Sequence, residues 1–273
     1  MTDVLFDAPG PKARTRSRLL SVIGGVAIAA LLGWVVYTLA QPRESGAGVT
    51  LPGMFDGSRW NVFLDVQLWR FVGQGVGNTL RAAFVAAALA VALGMLLSVL
   101  RSASSAWVRV PTIVFIEFFR GIPVLLLMLF ILLAGGTGEY WAVVAALALY
   151  NGTLIGEILR SGIAALPAGQ REAGLSLGLP GLQTRLLIEF PQAFRQMLPV
   201  IVAQLVVLLK DTSLGYIVGY PELLRAMLNN LSSYYGNRYL FPLWAVTVAI
   251  YLVMNLSLSW LARRLGRGPR APR

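Results

Sequence analysis

Apolar residues fall into six runs along the chain, each long enough to form a helix that crosses a bilayer. The runs cover about residues 19–41, 76–100, 111–134, 140–160, 198–219 and 240–262. A helix needs about 20 mainly apolar residues to span the hydrocarbon core. The pattern therefore predicts an all-α integral membrane protein with six transmembrane helices.

The first apolar run admits two interpretations. Four cations precede it, namely Lys12, Arg14, Arg16 and Arg18. A cleaved signal peptide has the same charge pattern, and Thr38-Leu39-Ala40 resembles a cleavage site. The apolar core is longer than the ~15 residues typical of a signal peptide and carries Trp34 and Tyr37 near its end. We therefore expect a retained helix.

Composition supports the membrane assignment and excludes several kinds of chemistry. Of the 273 residues, 57% are hydrophobic, and the mean hydropathy is +0.70. Soluble domains are usually about 45–50% apolar. The chain has no cysteine and no histidine, so it has neither disulfides nor a Ser-His triad, and no metal site is predicted.

The distribution of cations predicts the orientation. If the N-terminus is cytoplasmic, fifteen lysines and arginines lie in cytoplasmic segments and five lie outside. Cytoplasmic loops are enriched in Lys and Arg, so both termini are expected in the cytoplasm. The net charge of +11 follows from these flanking cations, and nucleic-acid binding is not expected.

The same patterns divide the chain into five segments. They are a basic cytoplasmic N-terminus (1–18), an extra transmembrane helix (19–41), an external segment (42–71), a five-helix domain (72–263) and a basic cytoplasmic tail (264–273). The orientation places the polar, Gly-rich stretch 161–190 inside the cell. This stretch is called the 161–190 loop below.

The 161–190 loop is predicted to contain two short helices joined by a bend. Residues 168–177 have a short amphipathic pattern, which Gly178 and Pro180 would end. A second helix is predicted over about 182–189. Two short helices at a bend form a compact projection that suits docking into a groove of another protein. An ordinary interfacial loop is the alternative from the residues alone.

The 161–190 loop resembles the signature of importer permeases of the ATP-binding-cassette (ABC) type. That pattern is Glu-Ala-Ala, three residues, Gly, nine residues, Ile, one residue and Leu-Pro. The chain has Glu172-Ala173-Gly174, Gly178, Ile188 and Phe190-Pro191 at the same spacing. Gly174 replaces the second Ala and Phe190 replaces Leu, which loosens the match without moving the register.

Further segments are similar to the polar amino acid branch of that family, and the resemblance covers about residues 72–263. They are Gly77–Leu80, Glu117–Pro123, Ala148–Gly152, Glu157–Ile163 and Lys210–Leu214. The extra N-terminal helix, the Phe6–Pro11 opening and the length resemble actinobacterial glutamate permeases. The resemblance implies a five-helix permease core plus the extra helix, in the bacterial plasma membrane.

The resemblance also implies partners. They are a second permease subunit, identical or different, two ATPase subunits and an extracytoplasmic amino-acid-binding protein. The chain agrees in one respect, because a phosphate-binding P-loop needs Lys followed by Ser or Thr. Lys12 precedes Ala13 and Lys210 precedes Asp211, so the chain is not expected to bind ATP in this way. The resemblance implies a transport subunit that is not itself an enzyme. No cofactor is expected here, and ATP and Mg²⁺ would belong to the partner ATPase.

The resemblance implies that closure of the ATPase dimer pushes on the 161–190 loop. The loop would then move the spanning helices in alternating access. The candidate coupling residues are Arg171, Glu172, Ala173, Gly174, Gly178 and Pro180. Small residues at 173, 174 and 178 would permit close approach of a partner.

Lys210 and Asp211 are the leading candidates for the substrate pathway. Ionisable residues inside spans are costly and usually face a cavity or a partner. Counting from Pro199 at about 1.5 Å per residue places Lys210 roughly 16 Å into the fifth span, near the midplane. The pair has one cation and one anion for a zwitterionic amino acid, and an internal ion pair without ligand is the alternative.

Other polar residues within the spans form a second group of candidates. The substrate-pathway set also contains Asn78, Thr79, Arg81, Glu117, Arg120, Asn151, Thr212 and Ser213. Glu117 and Arg120 are spaced to pair with each other, Arg81 is placed to extend to the interface, and the uncharged residues either bridge helices or line the path. Glu157 and Arg160 are interpreted as a gating or structural pair. Three intramembrane cations against two anions favour an anionic substrate.

Three rival functions remain open at this point. A self-powered secondary transporter usually carries two repeats with broken helices, and no repeat is evident. A membrane scaffold or sensor would have no ATPase partner. An intramembrane enzyme would need catalytic groups, and the carboxylates form no evident pair.

Overall fold

The computed structural model describes residues 10–44, 48 and 50–265. Twelve α-helices occur in these residues: α1 (Pro11–Ala40), α2 (Val66–Leu100), α3 (Ala106–Gly121), α4 (Val124–Gly135), α5 (Gly138–Ala164), α6 (Ala168–Ser176), α7 (Gly181–Thr184), α8 (Phe190–Asp211), α9 (Gly215–Val218), α10 (Leu223–Arg225), α11 (Ser232–Tyr235) and α12 (Leu240–Leu265). Two short strands, β1 (Arg43–Glu44) and β2 (Thr50–Leu51), pair antiparallel.

Tighter and wider turns complete the helical segments. The 3₁₀ turns are Gly57–Arg59, Asn61–Leu64, Thr212–Leu214 and Asn237–Tyr239, and the π-helical turns are Arg185–Glu189 and Ala226–Leu231. The Phe6–Pro9 part of the N-terminal opening and the tail beyond Leu265 lie outside the described residues.

The chain divides into two compact units at the Leu64–Asp65 junction. In the first unit, the backbone N–H of Met54 donates to the carbonyl of Leu39 at 2.9 Å. That bond satisfies one of the carbonyls left free at the C-terminal end of α1. The segment after α1 is therefore folded back onto the end of that helix.

The core of the second unit is built on α2 and α5, which approach closely through small residues. A Cβ added to Gly94 would lie 2.6 Å from Cγ2 of Ile155, and one on Gly152 would lie 2.8 Å from Cδ2 of Leu93. Close backbone approach through glycine is typical of helices packed in membranes. The helices α4 and α8 also pack against α5.

Among the described residues, five helical segments are long and apolar enough to span a membrane. They are Pro11–Ala40, Val66–Leu100, Gly138–Ala164, Gly181–Val218 and Asn237–Leu261, and the bent pair α3–α4 makes a sixth. The predicted class, an all-α membrane protein with a five-helix core and an additional N-terminal helix, is confirmed. The boundaries differ at several points.

The third predicted span, 111–134, is wrong as a single helix. It is divided into α3 and α4, whose axes meet at 101°. Ile122 is extended, with φ −87° and ψ 128°, and Pro123 follows it. A proline disfavours the helical conformation of the residue before it and lacks the N–H that would continue the ladder. Pro111, expected to open the span, lies inside α3.

The predicted separate helix over 182–189 is also wrong, as is the start of the fifth span near Leu198. Helical structure is continuous over Gly181–Val218. The N–H of Phe190 donates to the carbonyl of Arg185, five residues back. This wider turn accommodates Pro191, which has no N–H and would clash with the carbonyl four residues earlier.

Two external boundaries move as well. The second span begins at Val66 rather than near residue 76, so α2 takes the last residues of the predicted external segment 42–71. Asp65 caps α2, accepting the N–H of Gln67 at 2.8 Å. The stretch 220–239, which links the fifth and sixth predicted spans, is mostly helical and packs on α2 and α12.

Candidate functional site

The first helix of the 161–190 loop ends in a fully formed Schellman motif. The N–H of Leu179 donates to the carbonyl of Gly174 at 3.2 Å, and the N–H of Gly178 donates to that of Leu175 at 2.9 Å. Gly178 has φ +79°, a conformation that side chains with a Cβ disfavour. Gly178 therefore fixes the bend between α6 and the segment that starts at Pro180.

The two halves of the loop pack through Gly174. A Cβ on Gly174 would lie 2.5 Å from Cγ2 of Thr184 and 2.9 Å from Cδ1 of Ile188. Thr184 is fully buried, and its hydroxyl donates to the carbonyl of Leu179 at 3.3 Å. Gly174, which departs from the Ala of the signature, is thus matched to a β-branched neighbour that fills the space.

The outer surface of the loop combines charged and apolar side chains. Arg171 and Glu172 are exposed, and neither side chain makes an ion pair or hydrogen bond with the described residues. The exposed apolar residues are Leu175, Leu177, Leu182, Leu186 and Leu187. Leu177, beside Gly178, is 79% exposed. Such an apolar surface with flanking charges has the composition of a docking surface.

Polar contacts hold the loop to the ends of the spans. Arg185 donates to the carbonyl of Ser102 at 2.8 Å and pairs with Glu189 at 3.4 Å. Gln192 donates to the side chain of Gln170 at 3.0 Å, which links α8 to α6. The loop is therefore hydrogen-bonded to the end of α2 and to α8.

The predicted pair Glu157–Arg160 forms, and it is part of a larger group. Arg160 Nε lies 3.1 Å from Glu157, whose other oxygen pairs with Arg101 at the end of α2. Glu157 is mostly buried between the two guanidinium groups. Arg101 was not among the sequence candidates, because a basic residue in a short loop after a span is usually explained by orientation alone.

Asn78 and Thr79 connect α2 to the stretch after α9. Asn78 donates from Nδ2 to the carbonyl of Pro221 at 2.9 Å, and the hydroxyl of Thr79 accepts the N–H of Leu223 at 3.0 Å. Tyr220 donates its hydroxyl to the carbonyl of Asn78 at 2.9 Å. These two candidates bridge elements of the second unit.

Asn151 also has a bridging role. It is fully buried in α5, donates to the carbonyl of Leu147 and accepts from Nε2 of Gln204 at 2.8 Å. Gln204 lies on α8 and was not among the candidates. Gln204 is the one polar residue in the apolar sequence Ile201–Leu209. A lone polar residue within a span often bridges helices, so the sequence alone could have marked Gln204 as a candidate.

A buried carboxylate, Glu222, is the main polar residue that sequence reasoning missed. It accepts the N–H groups of Leu224 and Arg225, each at 2.7 Å, and the hydroxyl of Tyr251 at 2.7 Å. Burial raises the pKa of the Glu222 carboxyl, although these hydrogen bonds act in the opposite direction. Thr212, one of the candidates, is fully buried beside this network, on the 3₁₀ turn that contacts α2 and α10.

A second contact ties the same stretch to α2. The hydroxyl of Tyr235 donates to the carboxylate of Asp65. This hydrogen bond raises the pKa of Tyr235 to about 12 and lowers the pKa of Asp65. Because Asp65 is the N-cap of α2, the contact fixes the start of that helix.

Lys210 and Asp211 lie in the last turn of α8, not near its middle. Pro199, from which the depth of Lys210 was counted, lies inside a helix that begins nine residues earlier, at Phe190, and the membrane depth itself stays a prediction. Lys210 is exposed, Asp211 is half-buried, and their side chains form no ion pair within 4 Å in the described residues. Ser213 donates to the carbonyl of Lys210 at 2.8 Å.

The remaining charged candidates have partners within the chain. Glu117 and Arg120 pair at 2.9 Å in the last turn of α3, just before the bend. The guanidinium carbon of Arg81 lies 5.1 Å from the ring centroid of Tyr140, within the range of a cation–π contact. No group of three or more Asp, Glu, His or Cys residues suited to a metal occurs in the part of the chain that the structure describes.

The structure thus brings the candidates together in two separate places. The coupling candidates and the Glu157–Arg160 pair lie at the 161–190 loop and the ends of α2 and α5. Asn78, Thr79, Thr212 and Glu222 form a buried polar group around the start of α10. Lys210 and the Glu117–Arg120 pair belong to neither group.

Comparisons with known proteins agree with this architecture. Residues 90–271 match the family described as binding-protein-dependent transport system inner membrane component. The chain is 39% identical to the glutamate transport system permease protein GluD of Corynebacterium glutamicum, over 81% of this chain and 83% of that protein. It is 37% identical to the probable glutamine ABC transporter permease protein GlnP of Bacillus subtilis, over 71% and 92% respectively.

Solved structures show the same fold. A crystal structure of an amino acid ABC transporter with histidines aligns with a TM-score of 0.67 and 29% identity, over 74% of this chain and 95% of that one. An inward-facing MetNI methionine ABC transporter aligns with a TM-score of 0.58 at 18% identity, over 74% and 100%. The second likeness concerns the fold alone.

Proposed function

Because this chain belongs to the family of binding-protein-dependent transport system inner membrane components, we propose that it is the permease subunit of an ATP-driven importer for glutamate or another acidic or polar amino acid. The observation that carries the proposal is the 161–190 loop, which resembles the importer signature in sequence and folds into an exposed segment with a hydrogen-bonded bend. The relatives named for glutamate and glutamine support the substrate class.

The loop is the proposed contact with the ATPase. Gly178 fixes the bend of the loop, and the packing of Gly174 on Thr184 holds its two halves together. A force on α6 would therefore move the whole loop. Arg171 and Glu172 are exposed at its surface, beside exposed leucines. ATP and Mg²⁺ are assigned to the partner, because neither lysine of this chain is followed by Ser or Thr.

The proposed assembly contains a second permease, two ATPase subunits and an extracytoplasmic binding protein. Both termini are proposed to lie in the cytoplasm, as the distribution of cations favours. This orientation places the 161–190 loop on the side where ATP is available. It leaves the stretch 220–239 on the side from which the binding protein would deliver the amino acid.

Lys210 is the preferred substrate contact among the charged candidates. Arg120 is paired with Glu117, and Arg81 is stacked on Tyr140, whereas the ammonium group of Lys210 has no ion pair within 4 Å among residues 10–44, 48 and 50–265. An available cation suits the carboxylates of an acidic amino acid. Asn78, Thr79 and Asn151 are assigned to helix bridging instead.

Reconstitution tests the proposal directly. The complex is purified from native membranes, its subunits are identified, and uptake of labelled glutamate into proteoliposomes is measured with and without ATP. Glu172→Lys is expected to weaken ATPase association and uptake, whereas Glu44→Lys, the same charge change on β1, leaves association unchanged. Uptake driven by a proton gradient with no ATPase present would instead identify a secondary transporter.

A further inference from the structure

A cavity lined by three arginines lies at the base of the 161–190 loop. Its volume is about 400 Å³, and its charged lining residues are Arg160, Arg171, Arg185 and Glu189. The lining also includes Ser102, just after α2, and Ile163, in the last turn of α5. This space, the arginine cavity, is therefore positioned where two candidate spans end.

The arginine cavity has an excess of positive charge. Arg185 is neutralised by Glu189, and a single carboxylate, Glu157, serves both Arg160 and Arg101. Arg171 has no ion pair or hydrogen bond through its side chain with the described residues. The cluster thus leaves two positive charges without a matching carboxylate, which favours an anionic ligand.

Two of the three arginines, Arg185 and Arg160, are already held in place. Arg185 is mostly buried, and its Nη1 donates to the carbonyl of Ser102 at 2.8 Å. Arg160 contacts Glu157 through Nε, and no hydrogen bond from its terminal nitrogens is seen within the described residues. A planar guanidinium with free terminal N–H groups binds phosphate oxygens in a two-point geometry, and less side-chain entropy is lost when the group is pre-positioned.

The surroundings favour a lipid as the source of the anion. The lining also contains apolar residues such as Ile163 and Leu166. Leu186 and Leu187 follow Arg185 and are 41% and 66% exposed. Apolar surface next to a basic pocket at the end of a span suits a headgroup with acyl chains attached, whereas a free phosphate would use only the arginines.

We propose that the arginine cavity binds the phosphate of an anionic phospholipid headgroup at the base of the 161–190 loop. Lipid bound there would contact the ends of α2 and α5 and the loop at once. The membrane would then help to set the position of the loop relative to the spans.

Native mass spectrometry of the purified full-length chain tests this site with short-chain lipids. Dioctanoyl phosphatidylglycerol is expected to bind at least about tenfold more tightly than dioctanoyl phosphatidylcholine. The double variant Arg160→Gln, Arg171→Gln is expected to lose about tenfold in affinity for phosphatidylglycerol, because two charge-assisted contacts are removed. The matched control is Arg195→Gln, an exposed arginine on α8 that does not line the cavity. It should bind the lipid like the unaltered chain.

Three results would overturn the proposal. They are equal affinity for the two lipids, an equal loss in the Arg195→Gln control, and displacement of phosphatidylglycerol by inorganic phosphate at comparable concentration. The last would assign the cavity to free phosphate. Hydrogen exchange in α2 and α5 checks that the double variant is folded. Because lipid binding by the chain alone is measured, the outcome does not depend on transport or on an ATPase.

Discussion

Gly174 and Thr184 are packed so closely that a Cβ on the glycine would lie 2.5 Å from Cγ2 of the threonine. The contact joins α6 to the helical run that begins at Gly181. In the importer signature an alanine occupies this position, whereas in this chain the buried, β-branched Thr184 fills the space that an alanine methyl would need. The two positions therefore form one packing unit and should be altered together.

Gly174→Ala is expected to destabilise the 161–190 loop by about 1–3 kcal/mol, the usual cost of overpacking. Hydrogen exchange of the amides in residues 168–189 measures this change. Thr184→Ser in the same chain should recover much of the loss, because it removes the clashing methyl group and keeps the hydroxyl. Gly169→Ala is the control, since nothing lies within 4 Å of that position. Equal exchange in the Gly174→Ala and Gly169→Ala chains would contradict the packing argument.

Asn151 and Gln204 are expected to be energetically coupled. Each alanine substitution alone leaves a buried polar partner unsatisfied and should destabilise the chain by about 1–2 kcal/mol. A double-mutant cycle should give a coupling free energy of roughly 0.5–1 kcal/mol, as for polar contacts between membrane helices. Chemical unfolding in mixed micelles measures it. Gln196→Ala, at an exposed site on the same helix, serves as the control, and strictly additive effects of the two core substitutions would argue against the contact.

Glu222 is expected to make stability depend on pH. Burial raises the pKa of its carboxyl in the folded chain above the ordinary value of 4.5. The folded state therefore retains a proton that the unfolded state has released, so the free energy of unfolding falls as pH rises from about 4.5 through the raised pKa. Glu222→Gln should flatten this part of the stability profile.

Thermal unfolding of the detergent-solubilised chain across pH 4–8 provides the measurement. Glu44→Gln, at an exposed position on β1, should retain the slope of the unaltered chain. A Glu222→Gln chain whose melting temperature follows pH as steeply as the parent would refute the assignment.

Lys210→Ala is expected to lower the apparent affinity for glutamate by about tenfold while the complex still assembles. The reason is the loss of one charge-assisted contact to a substrate carboxylate. Lys210→Arg should retain much of the affinity, and Arg120→Ala should have a smaller effect because Arg120 already pairs with Glu117. Uptake kinetics in proteoliposomes, with assembly checked by co-purification, decide the matter. Unchanged kinetics in Lys210→Ala would remove this lysine from the pathway.

The sequence predicted the spans well because hydropathy is a local property. Residues 140–160 and 240–262 fall within α5 and α12. Predictions of helix boundaries from the local sequence were wrong near prolines. Pro123 breaks the third span, whereas Pro191 and Pro199 are accommodated within one helical run. The outcome depends on whether a wider turn or a free carbonyl is available, and that depends on neighbouring structure.

The polar contacts were harder to predict because they depend on tertiary structure. The Glu157–Arg160 pair follows from spacing along one helix. Glu222 and Gln204 could not be assigned their partners, Tyr251 and Asn151, because these lie on helices distant in sequence. Helical periodicity predicts which residues lie on the same face of a helix. It does not predict which other helix packs against that face.

The unbroken helical run from Gly181 to Val218 has a mechanical consequence. Its 38 residues, at about 1.5 Å each, form a rod of roughly 57 Å. Helical structure is continuous between Thr184 and Lys210, so a tilt imposed at one end is passed to the other. The π-helical turn at Arg185–Glu189 departs from the regular α-helical geometry of this described run. Its stiffness sets how much of the tilt is transmitted.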